Sequence, residues 1–218
     1  MHRRDKHVTR WSPKDSTGIT INDVCEVCNT GWMSDLEAKV RPFLCSMIHG
    51  DAATLNEHTA TDLTAWIYKI MLLFDRIGPA EHRRFRREHY AAFHAKQIPP
   101  SALVAWLAAY MGSLASTATD RGLTFSGGFK GVVATLSFGR VAFQLLIHNL
   151  DDVPRVGVWV PQAPLAWADR LSLLWPVVSE TSSFSLAWPL ARVLDDADLI
   201  KLRNRWDRPF RISGGLLS

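Results

Sequence analysis

Apolar positions recur with a helical beat up to about residue 114, and an alternating, strand-like pattern replaces it further on. The clearest helix carries Leu63, Trp66, Ile67, Ile70, Met71 and Phe74 at i, i+3, i+4, i+7, i+8 and i+11, and Gly78-Pro79 closes it. Before it, Ser34 reads as an N-cap ahead of Asp35-Leu36-Glu37, starting a helix that runs toward His49 and ends at Gly50. Pro42 falls inside that span and predicts a kink or a break. A third helix is expected from about Glu81 to Lys96, with Phe85, Ala92 and Phe93 on one side and an arginine cluster mostly on the other. Pro99-Pro100-Ser101 predicts the start of a fourth, with Leu103, Leu107, Tyr110, Met111 and Leu114 facing inward.

From Leu123 the pattern changes. Val132–Phe138, a turn at Gly139 and Val141–His148 predict a β-hairpin, and Gly127-Gly128 reads as a turn. Arg155–Val160 and Leu171–Val178 are further strand candidates, separated by Pro161 and Pro164. Asp195 to Trp206 reads as a closing helix capped by Asp195 or Asp196. Ahead of all this, residues 1–24 are polar and turn-rich, with Ile19, Ile21 and Val24 suggesting a short extended piece. The fold class expected is α+β, with helices first, then an antiparallel sheet and a C-terminal helix. Trp175-Pro176 and Trp188-Pro189 echo one another, but two copies make no repeat array.

Composition narrows the class. Hydrophobic residues make up 47% of the 218 and charged residues 21%, which is globular rather than disordered. The longest apolar stretch, Leu103 to Ala118, is broken by Gly112, Ser113 and Ser116, short of the roughly 18 residues a membrane helix needs. The basic start Met1-His2-Arg3-Arg4-Asp5-Lys6 leads into polar residues and reads as no secretory signal. Three cysteines, two of them in a C-x-x-C pair, fit a reducing compartment and a metal knuckle better than a disulfide framework. A soluble, cytoplasmic protein is expected. The net charge of +4 permits nucleic-acid contact without demanding it.

The chemistry concentrates in Val24-Cys25-Glu26-Val27-Cys28-Asn29-Thr30-Gly31-Trp32-Met33-Ser34-Asp35-Leu36-Glu37. Two thiolates separated by two residues can grip one Zn2+ from a tight turn, because that spacing brings both sulfurs to one side. Thioredoxin-like redox motifs share the spacing, but they follow an apolar strand and usually carry Gly-Pro or similar between the cysteines. Glu26-Val27 at that place favours metal. Trp32 is positioned to pack beneath the site.

The string C-x-x-C-N-x-G-W-M-x-x-L-E resembles the second knuckle of HNH endonuclease-like proteins, which have a treble-clef (ββα-metal) fold. The resemblance covers residues 1–50, read as an HNH-like zinc-knuckle module, and leaves 51–218 as an α+β domain without assigned chemistry. It implies a structural Zn2+ between two C-x-x-C knuckles, a catalytic Mg2+ or Mn2+, and phosphodiester hydrolysis with DNA as the partner. Cys25 and Cys28 match the second knuckle, and Asn29 matches a position that approaches the catalytic metal. His7-Val8-Thr9-Arg10-Trp11 is similar to the H-V-x-x-W that carries the general base, and 17 residues lie between His7 and Cys25. Two departures stand out. No C-x-x-C precedes His7, and Lys6 occupies the place of an acidic residue, with Asp5 one further back. Either the first half of the module is missing from this reading frame, or the module is degenerate and kept for binding.

A zinc site complete within the chain is also available. Cys45 and His49 stand at i, i+4 and, with Cys25 and Cys28, would make a Cys3His set. The alternative is a small core cysteine and a helix C-terminal histidine. Arg83, Arg84, Arg86 and Arg87 are candidate phosphate contacts, or else the solvated face of an amphipathic helix. His58, His82, His89, His94 and His148 show no ligand spacing, and no Walker, Rossmann, nucleophile-elbow or His-Glu-x-x-His motif occurs. Two functions compete: an HNH-like metal-dependent endonuclease, and a non-catalytic zinc-knuckle module that binds DNA or a protein.

Overall fold

The computed structural model describes residues 24–77, 80–114, 116–124, 130–148, 150, 167, 169–177 and 184–204. Two helices open it, α1 (Glu26–Thr30) and α2 (Trp32–His49). α2 begins two residues before Ser34, on Gly31, which offers no side-chain cap, and it runs unbroken through Pro42. Gly50, at φ 88°, closes it in the left-handed conformation expected of a C-terminal glycine. Leu36, Val40, Leu44 and Met47 form its buried stripe.

β1 (Ala53–Asn56) leads directly into α3 (Glu57–Ile77), the helix with the strongest periodicity. Leu63, Ile67 and Met71 are fully buried, while Trp66, Ile70 and Phe74 are half-buried against the same core. The third predicted helix is shorter than expected. Ala80–His82 is a single 3-10 turn, residues 83–86 lie in neither helix nor strand, and α4 spans Arg87–Lys96. Phe85 and Phe93 are buried as expected, but Ala92 is exposed.

The predicted fourth helix is a strand, β2 (Leu103–Tyr110), at the heart of the sheet. It lies beside β5 (Val141–His148), which pairs with β4 (Lys130–Phe138), and β3 (Ser116–Thr124) forms the edge. β6 (Ser172–Trp175) and β8 (Val193–Leu194) pair with the other side of β2. Every pairing is antiparallel except that of β8. β1 forms a separate two-stranded ribbon with β7 (Ser185–Trp188). Both Trp-Pro bonds, after β6 and β7, are cis. α5 (Asp196–Asn204) follows, and the Asp195 carboxylate accepts the Asp198 N–H at 2.8 Å as its N-cap.

The sheet is covered on both faces. Leu103, Ala105, Leu107 and Ala109 of β2 join Phe143, Leu145 and Ile147 of β5 in the core shared with α2, α3 and α4. Val104, Trp106, Ala108 and Tyr110 turn the other way, toward Leu199 and Leu202 of α5. A strand buried on both sides needs no polar alternation, so β2 reads as a continuous apolar run. The β4–β5 hairpin forms as predicted, and Gly139, at φ 54°, makes its turn. β3 starts at Ser116, seven residues before the pattern change at Leu123. Residues 1–23, Arg155–Val160, Gly127-Gly128 and Trp206 lie outside the described residues.

Candidate metal centre

α1 and its junction with α2 build the cysteine pair. Cys25, with extended backbone at φ −68° and ψ 152°, is the N-cap of α1, and its sulfur accepts the Cys28 N–H at 3.3 Å. The Cys25 carbonyl accepts the Asn29 N–H at 3.0 Å, closing the turn. Gly31 then brings two helices end to end. Its N–H donates to Val27 O at 3.0 Å, and a Cβ there would stand 2.7 Å from the same oxygen. Only glycine permits that approach.

Both cysteines are free thiols, Cys25 exposed and Cys28 half-buried. Their titrations are pushed apart. The Cys28 thiol, and then its backbone N–H, donate to the Cys25 sulfur and lower its pKa. Cys28 is raised, first by that same interaction and then by burial, while the Trp32 indole N–H pulls the other way. Trp32 stands one turn further on, in α2. Its ring meets Phe93 edge-on at 5.6 Å and His94 at 5.9 Å, so α4 braces the knuckle from behind. The Trp32 Nε1 atom is buried without a well-formed hydrogen bond, which leaves Cys28 as its nearby acceptor.

One turn and a little beyond Trp32, Glu37 reaches Lys69 on α3. Lys69 Nζ to Glu37 Oε1 is 2.5 Å, with the lysine side chain 2% exposed and the glutamate 49%. Sequence reasoning missed this pair. The signal was a single cation set inside Trp66-Ile67-Tyr68-Lys69-Ile70-Met71, where solvent is out of reach.

The Cys3His arrangement does not assemble. Cys45 and His49 are exposed near the far end of α2. The 13 positions from Trp32 to Cys45 span about 20 Å of straight helix. Cys45 is no core residue either. Among the described residues no third Cys, His, Asp or Glu joins Cys25 and Cys28. Two adjacent thiols therefore fit two corners of a tetrahedral Zn2+ site. Asn29 is exposed beside them, and His7 lies outside the described residues.

The arginines are not one helical face. Arg83, Arg84 and Arg86 occupy the irregular segment ahead of α4, and only Arg87 lies in the helix. Asp75 of α3 holds that segment in place, accepting the Arg84 N–H at 2.7 Å, the Phe85 N–H at 3.2 Å and the Tyr90 hydroxyl at 2.8 Å. Arg84 forms an ion pair with Asp120 of β3 at 2.9 Å, and Arg86 donates to the Leu150 carbonyl at 3.0 Å. Arg83 donates to the Arg76 carbonyl at 3.5 Å. These three side chains bind the fold together. Arg87 is exposed to solvent.

Among the described residues no helix is long and apolar enough to cross a membrane. The chain matches no family model, no curated protein and no solved structure.

Proposed function

We propose that this chain is a zinc-knuckle protein that acts on nucleic acid, with metal-dependent phosphodiester hydrolysis of the HNH kind as its activity. One observation carries the reading. The Cys28 N–H to Cys25 sulfur bond holds two solvent-reachable thiols in one turn, and the distinctive neighbours in the string seat that turn. Gly31 allows the close approach, Trp32 lies under Cys28, Leu36 enters the core, and Glu37 pairs with Lys69.

Cys25 and Cys28 would hold a structural Zn2+, which would crosslink the turn that leads into α2. His7 is assigned the general base, and Asn29 would help hold the catalytic metal. A bound Mg2+ or Mn2+ would supply charge stabilisation at the reacting phosphate. Arg87 is the member of the arginine run best placed for a backbone phosphate, because it is exposed at the start of α4.

The test has two parts. Purified protein should carry zinc, which Cys25→Ser and Cys28→Ser remove and Cys45→Ser retains. With Mg2+ or Mn2+ it should nick supercoiled plasmid, and His7→Ala should abolish nicking. Equal cleavage by the His7→Ala variant removes that residue from the mechanism. Bound zinc with salt-dependent DNA binding but no cleavage overturns the nuclease reading in favour of a binding module.

A further inference from the structure

Cys25 and Cys28 are the only described cysteines placed to react with one another. They stand three positions apart in one turn, with Cys25 capping α1 and its sulfur receiving the Cys28 N–H at 3.3 Å. Cys45 is separated from them by most of α2, about 20 Å at the rise of a straight helix. Both members of the pair are free, and solvent reaches both. Disulfides require Cβ atoms brought close together, and the Cys28 N–H to Cys25 sulfur bond already keeps the two cysteines within one C-x-x-C turn. The side chains of Glu26 and Val27, the intervening residues, are themselves exposed, so no core packing holds them.

We infer that the knuckle is also a peroxide-responsive dithiol, closing to a Cys25–Cys28 disulfide that excludes the metal. The chemistry balances in two steps. The Cys25 sulfur attacks one oxygen of hydrogen peroxide, the O–O bond breaks, and Cys25 sulfenic acid and water form. The Cys28 sulfur then attacks Cys25, the S–O bond breaks, and the departing hydroxide takes the Cys28 proton as a second water. The peroxide is reduced, and the two thiols share the two-electron oxidation. A disulfide has no thiolate to offer Zn2+, so closure and metal binding exclude one another. The dithiol chemistry stands on the geometry alone. Its consequence for the metal rests on the zinc reading given above.

The full chain in a Cys45→Ser background separates the two. Treated with hydrogen peroxide in the metal-free form, it should lose two hydrogens by intact mass spectrometry, become resistant to alkylation at both cysteines, and recover with dithiothreitol. Cys28→Ser in the same background should instead carry added oxygen on Cys25. In the zinc-loaded form, peroxide should release one Zn2+ per disulfide formed, read with a chromogenic chelator. Sulfinic acid at Cys25, or intermolecular dimers, in place of the internal disulfide overturns the inference. Reduced protein that holds no Zn2+ overturns the zinc reading and the switch, while a disulfide in that sample still supports the redox pair. Zinc-loaded protein that resists peroxide while the metal-free form closes overturns the switch alone.

Discussion

Glu37→Gln should cost this protein far more stability than Lys69→Met, although the two residues form one ion pair. The reason is their unequal exposure, 49% for the glutamate side chain and 2% for the lysine. Glu37→Gln leaves the Lys69 ammonium among apolar neighbours on α3 with a neutral amide in place of its counter-charge. Breaking a fully buried pair in this way costs about 3–5 kcal/mol. Discounted for the half-exposed glutamate, about 3 kcal/mol is expected here. Removing the lysine leaves a carboxylate that can turn to solvent, and methionine fills most of the vacated volume, so about 1 kcal/mol or less is expected. For a chain of this size each kcal/mol moves the melting temperature by roughly 2–4 °C. Glu37→Gln should therefore melt about 6–12 °C below the parent, and Lys69→Met within about 4 °C of it. Urea and thermal melts on both single variants and the double variant close the cycle. The double variant should resemble Lys69→Met, because the stranded ammonium is gone. Equal losses from the two single variants would refute the reasoning.

Three further perturbations probe separate parts of the fold. Asp196 accepts hydrogen bonds from the Tyr110 hydroxyl, the Ser113 N–H and hydroxyl, and the Leu114 N–H, with the Tyr110 bond the largest cause holding its pKa down to about 2. A depressed carboxylate stabilises above its unfolded pKa near 4, and that contribution is lost as pH falls toward 2, so Asp196→Asn should melt lower at neutral pH with the gap closing in acid. Burial lowers the pKa of His148, so the unfolded chain takes up protons more readily and stability falls as pH drops below about 6.5; His148→Gln should flatten melts recorded between about pH 7 and pH 5. Gly139 sits at φ 54° with Ile48 O only 2.5 Å from where a Cβ would lie, so Gly139→Ala should destabilise by about 2–3 kcal/mol in urea melts without changing metal content.

Which of these features could be read from the sequence depended on how local their causes were. α3 was legible because its apolar positions repeat at helical spacing along a buried stripe, and the β4–β5 hairpin because Gly139 supplies the turn between two largely apolar runs. α5 was legible from its two candidate caps, Asp195 and Asp196, of which Asp195 makes the capping bond. β2 was not, because both its faces are covered and its apolar run carries no period to separate strand from helix. The β1–β7 ribbon joins segments about 130 positions apart, which no local pattern encodes. The arginine run misled for a similar reason. Its register as a helix looked sound, but Asp75 and Asp120 draw the segment out of helix from elsewhere in the chain. The cysteine turn was legible as a pair of thiols, whereas its support from Lys69 and Phe93 was not.

α2 is secured at both ends by contacts that do not involve the cysteines. Glu37 ties its first turns to α3, and the Ile48 carbonyl near its end accepts the Arg140 N–H of the hairpin at 3.0 Å. If the turn holds Zn2+ as proposed, stripping that ion should therefore leave the body folded, with amide exchange quickening over residues 24–31 and staying slow along the rest of α2. On the zinc reading proposed above, loading and unloading would then be an equilibrium of one small hinge, free to respond to its surroundings while the sheet behind it keeps its shape.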